Sequence, residues 1–514
     1  MKPIRLISGV LTVGFWTLMS RVLGLVREVF LLAFIGPGPV MDAFVAAFRL
    51  PNMFRRFFAE GAFNAAFVPM FSKRYEAGED PQGFAREAMS GLAFVLMILT
   101  GLALVFMPAL VWATAGGFAG TESFDLTVGY GRIMFPYILF ISLAALASGV
   151  LNATGHFAAA AAAPVFLNIL VIAAMLAGST LGGDVITWVV WMVPLAGVVQ
   201  LGIVWVAAHR AGVSLVPGRP RWTPEMKQLV TIAIPAALSG GVMQINLLVG
   251  QQVASNFEKA VGWLYAADRL YQLPLGVVGI AVGIVLLPDL ARRLKAEDHD
   301  GARNAFSRAG EISLALTIPA AVALIVMPLP LVSVLFERGQ TGADDSAAIA
   351  MAVAIYGLGL PSFVLQKFLQ PLFYAREDTR TPFRYALWSM AVNAALAIGL
   401  APVLGWIAPA IATTVAGWFM AALLLIGGRR FGEVARFDAR FRRRIWRISF
   451  ASIGMGAVLW GAVLLMGPAL ATPGWRYLAL LILILVGMVS YFAIGRALGA
   501  FYPHELKAAF RRSG

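Results

Sequence analysis

The chain has 514 residues, 60% of them hydrophobic and only 13% charged, about half the charged share of an ordinary soluble protein, so it is built for lipid. Its formal charge of +14 does not mark a nucleic-acid binder, because most Lys and Arg fall in short loops between apolar stretches, the bias that orients membrane proteins. The absence of Cys excludes disulfides, thiolate metal sites and thiol catalysis.

In chain order, Lys2 and Arg5 before an apolar stretch look at first like a signal peptide. Arg21, Arg27 and Glu28 interrupt that stretch and no A-x-A cleavage site follows, so the segment reads as a retained first helix. About 20 apolar residues cross a bilayer as a helix. Breaks at Gly/Pro clusters and charge runs place spans near 5–35, 40–71, 84–114, 124–152, 157–179, 185–209, 226–256, 261–293, 304–336, 345–374, 382–401, 404–428, 445–467 and 475–499. The first, second and eighth contain Gly24, Pro51, Gly61 or Pro274 and are expected to tilt, bend or unwind. With the N-terminus inside, the inner loops hold clusters such as Lys73-Arg74, Arg292-Arg293 with Arg303 and Arg308, and the run from Arg429 to Arg447. The outer loops offer only Lys259, Arg338 and Arg476. One misplaced span would invert this alternation, which supports an even count with both termini cytoplasmic.

Two halves echo each other at an offset of about 220 residues: Pro69 with Lys73-Arg74 against Pro288 with Arg292-Arg293, and Pro136 against Pro361. The expected architecture is an all-α multi-pass membrane protein of about 14 helices, two pseudo-symmetric six-helix lobes plus two C-terminal helices. The lobes are assigned to 1–222 and 223–430, and a basic linker with spans thirteen and fourteen to 431–514. Transporters commonly hold substrate between such repeats.

Charges inside the spans are the chemical signal. A charge at mid-bilayer costs about 2.5–3.5 kcal/mol on the gentler insertion scales and normally faces a bundle interior or a wet cavity. At 100° per residue, Asp42, Arg49, Arg56 and Glu60 share one stripe of the second span. On the first span Arg21, Gly24 and Glu28 share a face, and Arg27 points elsewhere. Some of these residues pair internally, yet Arg21, Arg27, Arg49, Arg55, Arg56, Arg132, Arg269 and Lys367 outnumber Glu28, Asp42, Glu60 and Asp268. A positive cavity in low dielectric binds an anion, and Arg in particular offers bidentate geometry for phosphate.

Other chemistries find little support. His156, His209, His299 and His504 lie at loops or span ends, and no Walker A loop occurs. Gly276, Gly279 and Gly283 at small-xxx-small spacing read as helix packing. Asn393, Thr413 and Thr414 come without a carboxylate, which argues against a sodium site there.

Ser20-Arg21-Val22-Leu23-Gly24 with Arg27, Asp42-Ala43-Phe44, Ala47-Phe48-Arg49-Leu50-Pro51-Asn52, Arg55-Arg56 and Phe58-Ala59-Glu60-Gly61-Ala62-Phe63 closely resemble the MurJ (MviN) family. So do Tyr265-Ala266-Ala267-Asp268-Arg269-Leu270 and Phe373-Tyr374-Ala375-Arg376 with Asp378-Thr379 and Thr381-Pro382. The resemblance runs from about residue 8 to the C-terminus. It implies a lipid II flippase of the MOP exporter superfamily, with a cationic cavity lined by spans one, two, seven and eight and a lipid-tail groove at spans thirteen and fourteen. It implies headgroup binding by Arg21, Arg27, Arg55, Arg56 and Arg269, and gating or charge pairing by Glu28, Asp42, Arg49, Glu60, Asp268 and Lys367. Where the family often has a carboxylate three residues after the Arg of its A-D-R-L motif, this chain has Gln272.

The resulting expectation is a transporter, not an enzyme, working by alternating access without metal or cofactor and driven by the membrane potential or an ion gradient. Lipid II is the expected substrate, in contact with membrane lipids and cell-wall synthesis or division proteins, with no nucleic acid. The protein is expected to be a monomer of the bacterial cytoplasmic membrane. The rivals are another MOP-type exporter, either a polyprenyl-linked oligosaccharide flippase or a drug/cation antiporter, a lipid-linked glycosyltransferase, and a transport-dead scaffold. An organic-cation antiporter needs a net acidic cavity. A transferase needs an acidic metal cluster or a large extramembrane domain, and no loop exceeds about twenty residues.

Overall fold

A computed structural model describes residues 3–55 and 62–501, and the expectations for Arg56, Glu60 and Gly61 lie outside them. Among the described residues the chain is helical, without strands. The helices are α1 (Pro3–Phe34), α2 (Pro39–Arg55), α3 (Ala62–Ala77), α4 (Pro81–Val105), α5 (Met107–Ala115), α6 (Glu122–Met134), α7 (Tyr137–Ala153), α8 (Phe157–Leu181) and α9 (Val185–Arg210). They continue with α10 (Pro224–Ala254), α11 (Ala260–Lys295), α12 (His299–Val326), α13 (Pro328–Phe336), α14 (Ala343–Tyr374), α15 (Arg380–Leu404), α16 (Ala408–Gly428), α17 (Ala439–Ala471) and α18 (Trp475–Ala497).

Nine stretches among the described residues are long and apolar enough to cross a membrane, one of them covering both α15 and α16. The other passages are α1, α2 with α3, α10 and α11, so every expected span corresponds to a helix or a broken pair. The breaks fall elsewhere than expected. α1 and α11 run uninterrupted past Gly24 and Pro274, whereas the third, fourth and ninth spans break at Phe106, Phe135-Pro136 and Met327. Pro108, Pro136 and Pro328 stand at these junctions. Proline lacks an N–H and has a fixed φ, so it suits the opening turn of a new helix, where no intrahelical partner is needed.

Left-handed turns recur at the repeat interval. Gly36 and Lys259, Gly120 and Gly339, Gly155 and Glu377, Gly182 and Gly405, and Gly212 and Gly432 all have positive φ, each pair about 220 residues apart. Asp80 and Asp298 likewise cap α4 and α12 by accepting the N–H of Gly83 and Gly301 at 2.9 and 2.8 Å. Orphan N–H groups at a helix start are thus satisfied by the same residue type in both halves.

By packing, the chain forms two compact units, Met1–Gly262 with Arg338–Thr341, and Trp263–Glu337 with Gly342–Gly514. In the first, Phe67, Phe71, Phe84, Met89, Met107 and Phe135 are buried together. α10 belongs to this unit: Gln251 donates to the Thr114 carbonyl at 3.2 Å, and the Gly116 and Gly117 N–H groups donate to Gln252 and Ser255 at 2.8 and 3.0 Å. The sequence repeat opens its second lobe at 223 and so parts from this division over α10, because topology follows chain order whereas packing follows the surface a helix covers.

The segment Arg338–Thr341 closes the end of α1. The Gln340 N–H donates to the Ala33 carbonyl at 2.9 Å and the Thr341 hydroxyl to that of Leu32 at 2.7 Å, satisfying acceptors that a helix C-terminus leaves over. Gly339 has φ +59° and a side chain there would strike the Ala33 carbonyl oxygen, so backbone conformation and space both demand glycine.

In the second unit one core gathers Phe306, Phe368, Phe373, Leu424 and Val434. Another joins α12, α17 and α18 through Met327, Met455, Leu459, Leu483 and Tyr491. The Tyr491 hydroxyl donates to the Ala315 carbonyl at 2.6 Å, giving a polar end to an apolar contact.

Candidate functional site

Of the site residues expected in the first unit, those among the described residues lie on α1 and α2. Arg27 and Glu28 are both buried. One guanidinium nitrogen of Arg27 is 2.5 Å from Glu28, and the other donates to Asn168 of α8 at 3.0 Å. The Asn168 amide donates in turn to the Ser20 carbonyl at 3.0 Å. A Cβ added to Gly24 would meet the Asn168 amide at 3.8 Å. Ser20, Gly24 and Arg27 therefore form the face that α1 turns toward α8. Arg27, expected to point away from Gly24, instead shares its contact with α8, because the Asn168 amide reaches both ways along α1. Arg21 is exposed and meets no carboxylate among the described residues. It stands about 20 Å from the end of α1 at 1.5 Å per residue.

On α2, Asp42 is buried and accepts the backbone N–H of Gly262 at 2.7 Å, in the first turn of α11. Gating or charge pairing was expected of Asp42; its carboxylate meets a helix N-terminus, where the unsatisfied amides and the helix dipole favour negative charge. Gly262 permits this, since its Cβ would sit 3.1 Å from the Asp42 oxygen. Arg49 and Arg55 are half-buried further along the helix. The Asn52 amide donates to the Phe48 carbonyl at 2.9 Å, beside the N–H that Pro51 lacks.

In the second unit, Asp268 and Arg269 are adjacent and engaged separately. Gln272, one turn on, donates its amide to Asp268. The Arg269 guanidinium carbon lies 4.5 Å from the ring centre of Tyr265, one turn back, a cation–π contact. The Tyr271 ring packs 5.0 Å from Tyr356 and 5.6 Å from Phe363. Gln272 thus supplies a donor to Asp268 where the resembling family often has an acid. Lys367 is exposed on α14 and meets no carboxylate among the described residues. Arg132 is exposed and donates to the Leu104 carbonyl at 3.3 Å.

One ionic cluster escaped the sequence reading, which counted Arg308 and the 429–447 run as loop charge. Glu311 of α12 is buried and binds Arg308, Arg444 and, at 3.7 Å, Arg440. Asp438 caps α17 by accepting the Phe441 N–H at 2.6 Å and also binds Arg308. The available signal was a lone Glu among apolar residues, three positions after an Arg.

Partial burial works to raise the Asp438 carboxyl, but the Phe441 N–H and Arg308 outweigh it and hold it below the ordinary 3.8. Asp378, in the loop before α15, behaves alike: burial is outweighed by the Thr381 N–H and hydroxyl and by Arg430. A carboxylate depressed in the folded state contributes stability above its unfolded pKa and loses it as pH falls through the folded value. Acid titration of the detergent-solubilised protein should therefore show thermal stability dropping below about pH 4. Asp378→Asn and Asp438→Asn should flatten that drop, and an unchanged acid slope in both would refute the assignment.

Among the described residues no cluster of three or more His, Asp or Glu is placed to hold a metal. The arrangement offers cations inside long apolar helices, which can hold an anion.

Comparison with known proteins adds the family. A family model described as lipid II flippase MurJ matches residues 31–486. A probable lipid II flippase MurJ of Rhizobium tropici is 46% identical, covering 96% of this chain and 94% of that protein. One of Rhizobium meliloti is 47% identical, covering 99% and 96%. A solved structure of lipid II flippase MurJ in an inward closed conformation superposes with a TM-score of 0.79 at 24% identity, covering 94% of this chain and 97% of that one, which speaks to the fold. With the family model matching most of the chain and these relatives matching it over nearly the whole length, the chain belongs to the MurJ family.

Proposed function

We propose that this protein is a lipid II flippase, moving an undecaprenyl-diphosphate-linked peptidoglycan precursor from the inner to the outer leaflet. It is a multi-pass membrane transporter of the MOP superfamily and not a catalyst. The observation that carries the reading, beside family membership, is Arg21. A guanidinium deep in an apolar helix, exposed and unmatched by acid among the described residues, is costly in lipid unless something anionic uses it.

The diphosphate headgroup is gripped by Arg21, Arg27, Arg55, Arg56 and Arg269 while the polyprenyl tail stays in the bilayer. Guanidinium forks suit phosphate oxygens bidentately. Arg27 shares its charge with Glu28, so Arg21 bears more of the headgroup charge. Glu60 and Asp268 compete with phosphate for the arginines and help release it. Alternating access exposes the site to each leaflet in turn. An inside-negative potential, worth about 2.3 kcal/mol per charge per 100 mV, drives an anionic headgroup outward and returns the emptied cationic site. The protein acts as a monomer in the bacterial cytoplasmic membrane with both termini cytoplasmic, the orientation favoured by its basic loops. The delivered precursor feeds cell-wall polymerising enzymes at the outer face.

Depletion of the protein in its host, followed by an outer-leaflet lipid II accessibility assay, tests this. Accessible lipid II should fall on depletion and recover with the wild-type chain. Unchanged accessibility on depletion would refute the function.

A further inference from the structure

We propose that Asn168 is a positioning residue for headgroup binding: it fixes the rotational setting of α1 on α8 and thereby where Arg21 stands. The inference rests on the lipid II reading above. Asn168 is buried, and through it α8 holds two separated points of α1. Its carbonyl oxygen takes the Arg27 guanidinium at 3.0 Å and its amide nitrogen holds the Ser20 carbonyl at 3.0 Å. Gly24 lies between them in ordinary contact with the same amide.

At 100° per residue, Ser20, Gly24 and Arg27 fall within about 60° of one another. Gripping both ends of that stripe leaves α1 little freedom to roll. Arg21 follows Ser20 directly and is about 100° round from it, so a clamp on Ser20 and Arg27 also fixes the direction in which Arg21, exposed, stands. Two neighbouring cations on one helix are thereby given different surroundings. A buried polar side chain whose donor and acceptor are both used specifies one arrangement over its alternatives. An apolar residue at 168 would pack as well but would leave α1 free to roll, and Arg27 free to leave Glu28.

The chain is purified whole and its lipid II dissociation constant measured for wild type, Asn168→Ala, Arg21→Ala and the double variant, with thermal stability recorded separately. Asn168→Ala is expected to weaken binding about tenfold in the wild-type background, the scale of one hydrogen bond to a charged group. It should add less than about twofold in the Arg21→Ala background, because residues that act through one another are non-additive. The stability loss should be the same in both backgrounds, since the bonds to Ser20 and Arg27 are broken in each. A tenfold loss that persists without Arg21, or no loss in the wild type, overturns the proposal. Should Asn168→Ala fail to fold, Asn168→Ser, whose uncharged hydroxyl is too short to hold Arg27 and Ser20 at once, carries the same cycle with the same criterion. Wild-type protein that does not bind lipid II overturns the lipid II reading, an outcome distinct from binding that ignores residue 168.

Discussion

Replacing Glu311 by alanine is expected to destabilise the protein by about 3–5 kcal/mol, the scale of breaking a buried ion pair from one side. Glu311 and Arg444 are both buried, and Glu311 receives Arg308 and Arg440 as well. Truncation removes the carboxylate on which three guanidiniums converge and leaves an apolar gap in its place. Desolvation makes such a remnant worse than no charge at all. Two further variants separate this cause from lost packing. Glu311→Gln keeps the shape and should cost less than alanine but more than a neutral surface change. Glu311→Leu combined with Arg444→Leu removes a charge of each sign and should be milder than Glu311→Ala alone. Thermal unfolding in detergent reads all of these, and limited proteolysis of the 429–447 segment reports whether α17 has left α12. A Glu311→Ala protein as stable as wild type, or a double variant worse than the single, would show that the cluster does not hold these helices together.

Arg21→Ala is expected to weaken lipid II binding about ten- to a hundredfold, since a hydrogen bond to a charged group is worth about 1.5–3 kcal/mol and each 1.4 kcal/mol is tenfold. The effect should exceed that of Arg27→Ala. Arg27 already shares its charge with Glu28 and a nitrogen with Asn168, so a phosphate gains less from it. Arg21→Lys restores the charge without the planar fork and should recover only part of the affinity. Raising salt should weaken the wild type more than Arg21→Ala, because screening acts on the interaction the variant has lost. Titration of the purified protein with lipid II at two ionic strengths measures both quantities. If Arg27→Ala proves the more damaging, the neutralising role given to Glu28 is wrong; if neither arginine matters, headgroup capture belongs elsewhere.

Much of the architecture was legible in the sequence because a bilayer imposes simple rules. A span must be long and apolar, and its flanking charge must alternate; every expected span has its helix, with ends shifted by a few residues. Where helices break was less legible. Prolines stand inside α2, α8 and α9 without ending them, yet mark the junctions at Phe106, Phe135 and Met327. Composition does not say which carbonyls a neighbour will satisfy.

The candidate site divides in the same way. That cations outnumber acids inside the spans is a matter of counting, and so is their chemical suitability for a diphosphate. Who meets whom is not. Asp42 reads as a gating or charge-pairing residue until the fold brings the Gly262 N–H to it. Arg308 reads as loop charge until α17 sets Arg444 against Glu311. Gln272 reads as a missing acid until its amide is seen on Asp268.

By itself, then, the sequence determined that the chain lives in lipid, how often it crosses, that its halves repeat, and that arginines stand within its apolar spans. These properties follow from residue type and spacing, which each residue carries wherever it sits. Only the tertiary structure decided that Arg27 is partnered by Glu28 and Asn168 while Arg21 stands exposed, and that Glu311 fastens α17. Ion pairs and hydrogen bonds act over a few ångströms, and residues 141 or 133 positions apart, as Arg27 and Asn168 or Glu311 and Arg444 are, come that close only once helices have packed.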